Sequence, residues 1–245
     1  MEHVGVILAA GLGSRLRPLT DTTPKCLLDV GGVTLLERQL HRLAAAGVRK
    51  SVVVVGYLQE QIEAYFQRVA PPLQVVLAPN PVYATTGNCL SVLAAQRQVG
   101  DANILIIDGD VVLTGDALAR LLADPAPCSV LLDRETPLGE EEMKALLDEH
   151  GRIHQLSKKL PPADCAGESI GVNKVGGAGL QQLWYELERM ERGDNQGYYE
   201  DAFQRLIDSG TEFRTVPIGH DEWTEIDDLA DLQDARARFA GVSAR

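Results

Sequence analysis

Residues 6–25 read VILAAGLGSRLRPLTDTTPK: a short apolar run breaks into Gly11, Gly13, Ser14 and Arg15, and Lys25 follows shortly after. A glycine-rich turn after a buried strand turns several backbone N–H groups outward as an anion nest, to which Arg15 adds a bidentate fork and Lys25 a point charge. That chemistry suits phosphate oxygens. Two better-known phosphate loops do not fit. No Gly-Lys-[Ser/Thr] ending completes a Walker loop, and Leu16 occupies the third glycine position of a dinucleotide fingerprint, where close helix packing leaves no room for a side chain. A nicotinamide site also wants an acid at the end of the second strand, and that strand ends Val55-Gly56-Tyr57. A second constellation is Asp108-Gly109-Asp110, which closes the apolar run Ile104–Ile107 and so puts carboxylates at a strand's C-terminal end.

The elements that must position these groups follow from hydrophobic period. Residues 4–10 read as a buried strand. Thr34-Leu-Leu-Glu37 has the form of a capping box opening a helix with Leu36, Leu40, Leu43 and Ala44 on one face, ended by Gly47. Val52–Val55 is too short and too β-branched for a helix and reads as a second strand, followed by a helix near 58–67 and a strand at Gln74–Leu77. The order is βαβαβ with a parallel sheet. A helix at about Leu90–Arg97 then leads to the strand Ile104–Ile107, another lies near 116–122, and a strand spans Ser129–Asp133. Met143–Asp148 and Arg152–Ser157, joined by Glu149-His-Gly151, read as a hairpin, an antiparallel insertion or lid. Ser169–Val175 returns as a strand, helices cover about 178–192 and 199–209, and a strand near 213–218 precedes a closing helix from Asp228. Ligands of an open parallel sheet bind outside the carboxyl ends of its strands, so the glycine loop and the aspartates share one crevice.

With 245 residues and 45% hydrophobic content the chain has ample material for a core. A net charge of −12 argues against a nucleic-acid surface, so anionic ligands must meet a few local cations. No apolar run is long enough for a membrane span, and MEHVGVILAAG lacks the basic start of a secretory leader, so the expected location is cytoplasmic. Cys26, Cys89, Cys128 and Cys165 lie far apart and suggest neither zinc nor a disulfide framework.

The series LAAGLGSRLRPLT…PKCLLDVGG resembles the signature of the nucleotidyltransferase family that makes activated sugars and related head groups. The likeness continues at VVVVGY, Asn80-Pro81-x-Tyr83, Asp108-Gly109-Asp110 and Glu225-Ile226-Asp227, and so covers essentially the whole chain. It implies a single-domain, Rossmann-like, mixed but mostly parallel α/β sheet that joins a nucleoside triphosphate to a phosphate-bearing acceptor and releases pyrophosphate. Residues 1–135 would form a nucleotide-binding half, 136–225 an acceptor half with the hairpin lid, and 226–245 the closing helix. By the same resemblance Ala10, Gly11, Gly13 and Ser14 cradle the triphosphate, Arg15 and Lys25 hold it, and Asp110 and Asp227 bind Mg²⁺, with Asp108 a structural partner.

The stretch from Asn80 to Ser91, with Thr86, Gly87 and Asn88, resembles the phosphocholine and phosphonate cytidylyltransferase branch and implies CTP. Gly87 departs from the asparagine frequent in the phosphocholine enzymes. Downstream, Lys144, Lys158, Glu168 and Tyr199-Glu200-Asp201 resemble the same branch. Lys158 falls where relatives grip the acceptor's phosphate, with Lys159 as rival; Lys144 also reads as a solvated hairpin residue. An aminoalkyl or choline-like head group would want carboxylates and aromatic faces, which Tyr199, Glu200, Asp201 and Trp223 could supply, although helix-face packing accounts equally well for the two aromatics. The expected partners are CTP and a small phosphonate or phosphate, with no nucleic acid and no membrane, and a homodimer is compatible with all of this. The competing enzyme reading is a sugar- or polyol-1-phosphate nucleotidyltransferase using CTP, UTP, dTTP or GTP. A catalytically dead regulatory module would have no need to keep Arg15, Lys25, Asp110 and Asp227 together.

Overall fold

A computed structural model describes residues 2–242. The expected strands β1 (His3–Ala9), β2 (Lys50–Val55), β3 (Gln74–Pro79) and β4 (Asn103–Asp108) pair in parallel in the order β3-β2-β1-β4. Their continuous apolar runs are explained by burial on both faces: Val6, Val52, Val54, Ile104 and Ile106 join one core cluster, and Ile7, Val53, Val55, Leu105 and Ile107 the other. Helices α1 (Leu35–Ala45) and α2 (Gln59–Arg68) cover the second of these faces with Leu36, Leu40, Leu43 and Ile62. Thr34 caps α1 by accepting from Glu37 N, as the capping box predicts, and Gly47 at φ 86° turns the chain out.

One helix was expected around 90–97; the chain instead forms α3 (Asn88–Ala94) and a single turn α4 (Gln96–Val99), broken at Ala95 although no glycine or proline marks the break. After β4 comes β5 (Val111–Leu113), then α5 (Ala117–Ala123) and β6 (Cys128–Asp133). The expected hairpin is β7 (Lys144–Leu147) with β8 (Ile153–Ser157), but β7 also pairs with β9 (Gly167–Val175), so the hairpin extends the main sheet rather than standing free. Strand β9 runs antiparallel between β4 and β6, which makes the nine-stranded sheet mixed. Helices α6 (Gly177–Arg192) and α7 (Tyr199–Asp208) bury Leu183, Trp184, Leu187, Tyr199 and Phe203 in the first cluster, with α3 beside them. Strand β10 (Arg214–Ile218) pairs with β6, and β11 (Trp223–Glu225) pairs antiparallel with β5 as a separate two-stranded ribbon that the sequence reading did not contain. The closing helix α8 (Leu229–Arg238) starts at the expected cap, Asp228, whose carboxylate accepts from Ala230 N and Asp231 N. No helix among the described residues is long and apolar enough to cross a membrane.

Candidate active site

The carboxyl ends of β1 and β4 open into one cleft of about 510 Å³, joined to a smaller compartment of about 230 Å³ through shared walls at Gly11, Arg15, Asp110 and Asp227. The glycine loop forms the smaller compartment. Gly13 sits at φ 59°, a left-handed conformation that glycine adopts without cost, and its carbonyl accepts from the buried Thr20 hydroxyl at 2.8 Å. Tyr57 adds a clasp from β2's exit: its N–H donates to Ala10 O and its hydroxyl to Thr20 O. Ser14 and Lys25 line this compartment as well.

Asp110 arrives by a different route. Gly109 passes so close to β1 that a Cβ there would stand 2.0 Å from Leu8 O. The buried amide of Gln39, on α1, donates to Asp108 O at 2.8 Å and Val111 O at 2.9 Å, and so holds both sides of the turn. The β5–β11 ribbon then pairs Val111 with Glu225, and Ile226 N donates to Asp110 O. Asp110, Glu225 and Asp227 thereby come within 4.8 Å of one another. Three carboxylates are the hard oxygen donors that a divalent cation of the Mg²⁺ type takes. Glu225 was not singled out from the sequence; its spacing from Asp227, one residue apart along an extended chain and so on the same face, was the available signal. Arg15 reaches Asp227 at 2.6 Å, and Lys25 reaches Asp110 at 2.8 Å and Asp227 at 3.5 Å.

Behind the carboxylates, burial and the neighbouring acids Glu200, Asp110 and Glu225 push the Asp108 carboxyl well above the usual range. Burial pushes Glu225 up to about 8, with Asp110 and Asp227 adding to it.

The same cleft is also walled by Lys158, Glu168, Ser169, Tyr198, Glu200 and Trp223. The Lys158 ammonium lies 5.0 Å from the centre of the Tyr198 ring, whereas Lys159 is exposed and lies outside the cleft wall. Glu168 and Glu200 are buried, and burial raises each to about 7. Among the described residues, Glu200 Oε2 and Ser169 Oγ have no hydrogen-bond partner. Trp223 is buried in the cleft wall, and its Nε1 donates to Asp133 Oδ2 at 2.8 Å. Ser169, within the Gly167–Gly171 stretch that resembles the cytidylyltransferase branch, was given no role from the sequence, and Tyr198 was not anticipated.

Several expected site residues stand elsewhere. Tyr199 is fully buried, edge-on to Phe203, with its hydroxyl accepting from Asn173 Nδ2. Asp201 accepts from Tyr198 N at 2.7 Å at the start of α7. Lys144 is fully buried and donates to the carbonyls of Gly139, Glu140 and Glu142, the opposite of a solvated hairpin residue. Asn80 is buried, bonding Ser91 Oγ and Val82 N. Thr86, Gly87 and Asn88 do line the cleft, as do Ala10 and Gly11.

Comparison with known proteins agrees with this geometry. The MobA-like NTP transferase domain matches residues 5–153. The chain is 32% identical, over 96% of its length, to CMP-5'-(3-aminopropyl)phosphonate synthase of Streptomyces rubellomurinus, of which it spans only 38%. It is 28% identical to 2-aminoethylphosphonate cytidylyltransferase of Lancefieldella rimae, over 93% of this chain and 89% of that one. The solved inositol-1-phosphate CTP transferase from T. maritima superposes with a TM-score of 0.81 over 100% of this chain and 98% of its own, at 20% identity, a likeness of fold. A glycine loop lining a compartment beside a carboxylate cluster, at the carboxyl ends of a mixed sheet, is thus joined to a family match over most of the chain: the protein belongs to the MobA-like NTP transferase family and is a nucleotidyltransferase.

Proposed function

We propose that the chain is a Mg²⁺-dependent cytidylyltransferase that moves CMP from CTP to a small amine-bearing phosphonate or phosphomonoester and releases pyrophosphate. The observation that carries this reading is one cleft that brings cations and three carboxylates together with Lys158 and two buried glutamates. The names of the two aminoalkylphosphonate relatives support it.

An oxygen of the acceptor's phosphonate or phosphate attacks the α-phosphorus of CTP; that P–O bond forms as the α–β anhydride bond breaks, and its electron pair leaves on pyrophosphate. The acceptor oxygen is already anionic, so the site must bring two anions together rather than supply a base. The loop from Ala10 to Ser14 with Arg15 and Lys25 holds the triphosphate in line. Asp110 and Asp227, with Glu225 alongside, would hold the Mg²⁺, which supplies positive charge to the transferring phosphoryl group. Lys158 receives the acceptor's anionic group, and Glu168, Ser169 and Glu200 its ammonium. Trp223 and Tyr198 supply the aromatic faces in this reading, since Tyr199 lies in the core. The edge formed by Thr86 and Asn88 faces the base. A pocket built around cytosine's amino donor leaves unpaired groups when offered uracil, whose O4 accepts instead.

The test is a pyrophosphate-release screen crossing CTP, UTP, dTTP and GTP with 2-aminoethylphosphonate, phosphocholine, inositol 1-phosphate and glucose 1-phosphate. Fastest turnover with CTP and an amine-bearing acceptor is expected; fastest turnover with a sugar or polyol phosphate would overturn it.

A further inference from the structure

Gly87 departs from the pattern of the stretch around it, and the structure gives a steric reason. Its backbone lies at φ −73° and ψ 173°, extended values open to any residue, so no dihedral demands glycine. Space does. A Cβ at position 87 would stand 2.0 Å from Gly197 O and 2.6 Å from Gln196 O. Both are backbone atoms, which cannot swing aside as a side-chain end can. The segment 195–197, which leads into α7, therefore lies directly against the start of α3.

The approach is stitched on both sides of the glycine. Gly87 N donates to Asn195 O at 2.8 Å, the Gln196 amide donates to Thr85 O, and Tyr199 N donates to Asn88 Oδ1 at 2.9 Å. The Cys89 thiol adds a contact to Asn195 O at 3.8 Å. One side of the seam lines the cleft with Thr86 and Asn88, and the other lines it with Tyr198 and Glu200.

We propose that Gly87 is a positioning residue for the acceptor wall: its missing side chain lets the 195–197 backbone seat against α3, and that seating sets Tyr198 and Glu200 in the cleft. The inference rests on the acceptor reading given above. A side chain at position 87 pushes toward the 196–197 carbonyls rather than into the cleft, so the nucleotide rim keeps its shape while the acceptor wall withdraws. A catalytic cleft is sensitive to such a displacement, because a misplacement of about 1 Å is enough to cost roughly a hundredfold in rate.

The experiment pairs Gly87→Ala with Gln196→Ala, which removes a stitch without adding bulk. Three readouts are taken on each folded variant: the KM for 2-aminoethylphosphonate, the Kd for CTP by calorimetry, and amide hydrogen exchange across 195–201. For Gly87→Ala a rise in acceptor KM of about tenfold or more is expected, with CTP Kd within about twofold and faster exchange in 195–201. Gln196→Ala should move the same readouts in the same direction by less, and it decides the matter alone if Gly87→Ala fails to fold. Unchanged acceptor KM and exchange, or an equal rise in both constants, would overturn the proposal. Failure of the acceptor reading shows separately, as absent turnover of 2-aminoethylphosphonate by the unaltered protein, and the exchange readout still judges the seam.

Discussion

The ammonium of Lys25 lies 2.8 Å from Asp110 Oδ2, a contact between a cation just beyond the glycine loop and a carboxylate delivered by the turn after β4. Lys25 is largely covered, at 15% side-chain exposure, and also reaches Asp227 at 3.5 Å. This cation and the carboxylates are therefore one electrostatic unit, and substitution at either side should be read with the other in mind.

Asp110→Ala and Asp227→Ala are each expected to remove nearly all turnover while leaving the fold in place. Loss of one ligand to a metal that stabilises phosphoryl charge removes several kcal/mol, or roughly a thousandfold. Circular dichroism checks the fold, and Mn²⁺ binding followed by electron paramagnetic resonance checks the site directly. Either variant working at near-normal rate would remove that aspartate from the metal site.

Lys25→Ala is expected to weaken CTP use, and Lys158→Ala to raise the KM of the acceptor. A charge-assisted phosphate contact contributes about 1.5–3 kcal/mol, or roughly ten- to a hundredfold. Steady-state constants for both substrates separate the two roles, and identical defects would show that the division is wrong.

The acceptor's KM should fall as pH rises through neutrality. Glu168, pushed up to about 7 by burial and by Glu142 and Asp133, is protonated and neutral below that value and anionic above it, and only the anion attracts an ammonium. For a group titrating near 7 the ionised fraction grows about tenfold from pH 6 to pH 8. Glu168→Gln should remove that share of the dependence; an unchanged profile would mean that Glu168 does not meet the charge. The sign for folding is opposite: a carboxyl raised above its unfolded value makes the folded state lose stability as pH climbs from the ordinary carboxylate range to about 7.

Lys144→Met should act on stability more than on substrate. Its ammonium donates to three backbone carbonyls in the 139–142 turn, and removing a buried charged donor leaves them unpaired, a loss of about 2–4 kcal/mol. Thermal melting measures it. A normal melting temperature with a selective rise in acceptor KM would place Lys144 at the substrate instead.

The strands and helices that were legible were those with a clear period: the apolar runs of β1, β2 and β4, and the Thr34 cap. The β5–β11 ribbon was not, because three-residue strands are too short to show alternation, and with it went the reason why Glu225 sits beside Asp110. Arg15, Lys25 and Asp110 were legible beside the glycine loop and at a strand's end, Asp227 came from the family resemblance, and the structure brings all four together. Tyr199 and Lys144 show the limit. Each has a type suited to ligand contact, and whether its polar end meets a cleft, an asparagine amide or a turn of carbonyls depends on tertiary neighbours that no local spacing encodes.

The antiparallel course of β9 has a consequence for how the chain acquires its structure. β9 supplies the hydrogen bonds that join β4 to β6, yet it lies at residues 167–175, well after both. Until it is in place, β4 and β6 each present a row of unpaired N–H and C=O groups from strongly apolar strands, the kind of surface that pairs with other chains. A fragment ending near residue 153, where the family match stops, is therefore expected to aggregate rather than fold, and during synthesis the sheet can close only after residue 175 has left the ribosome.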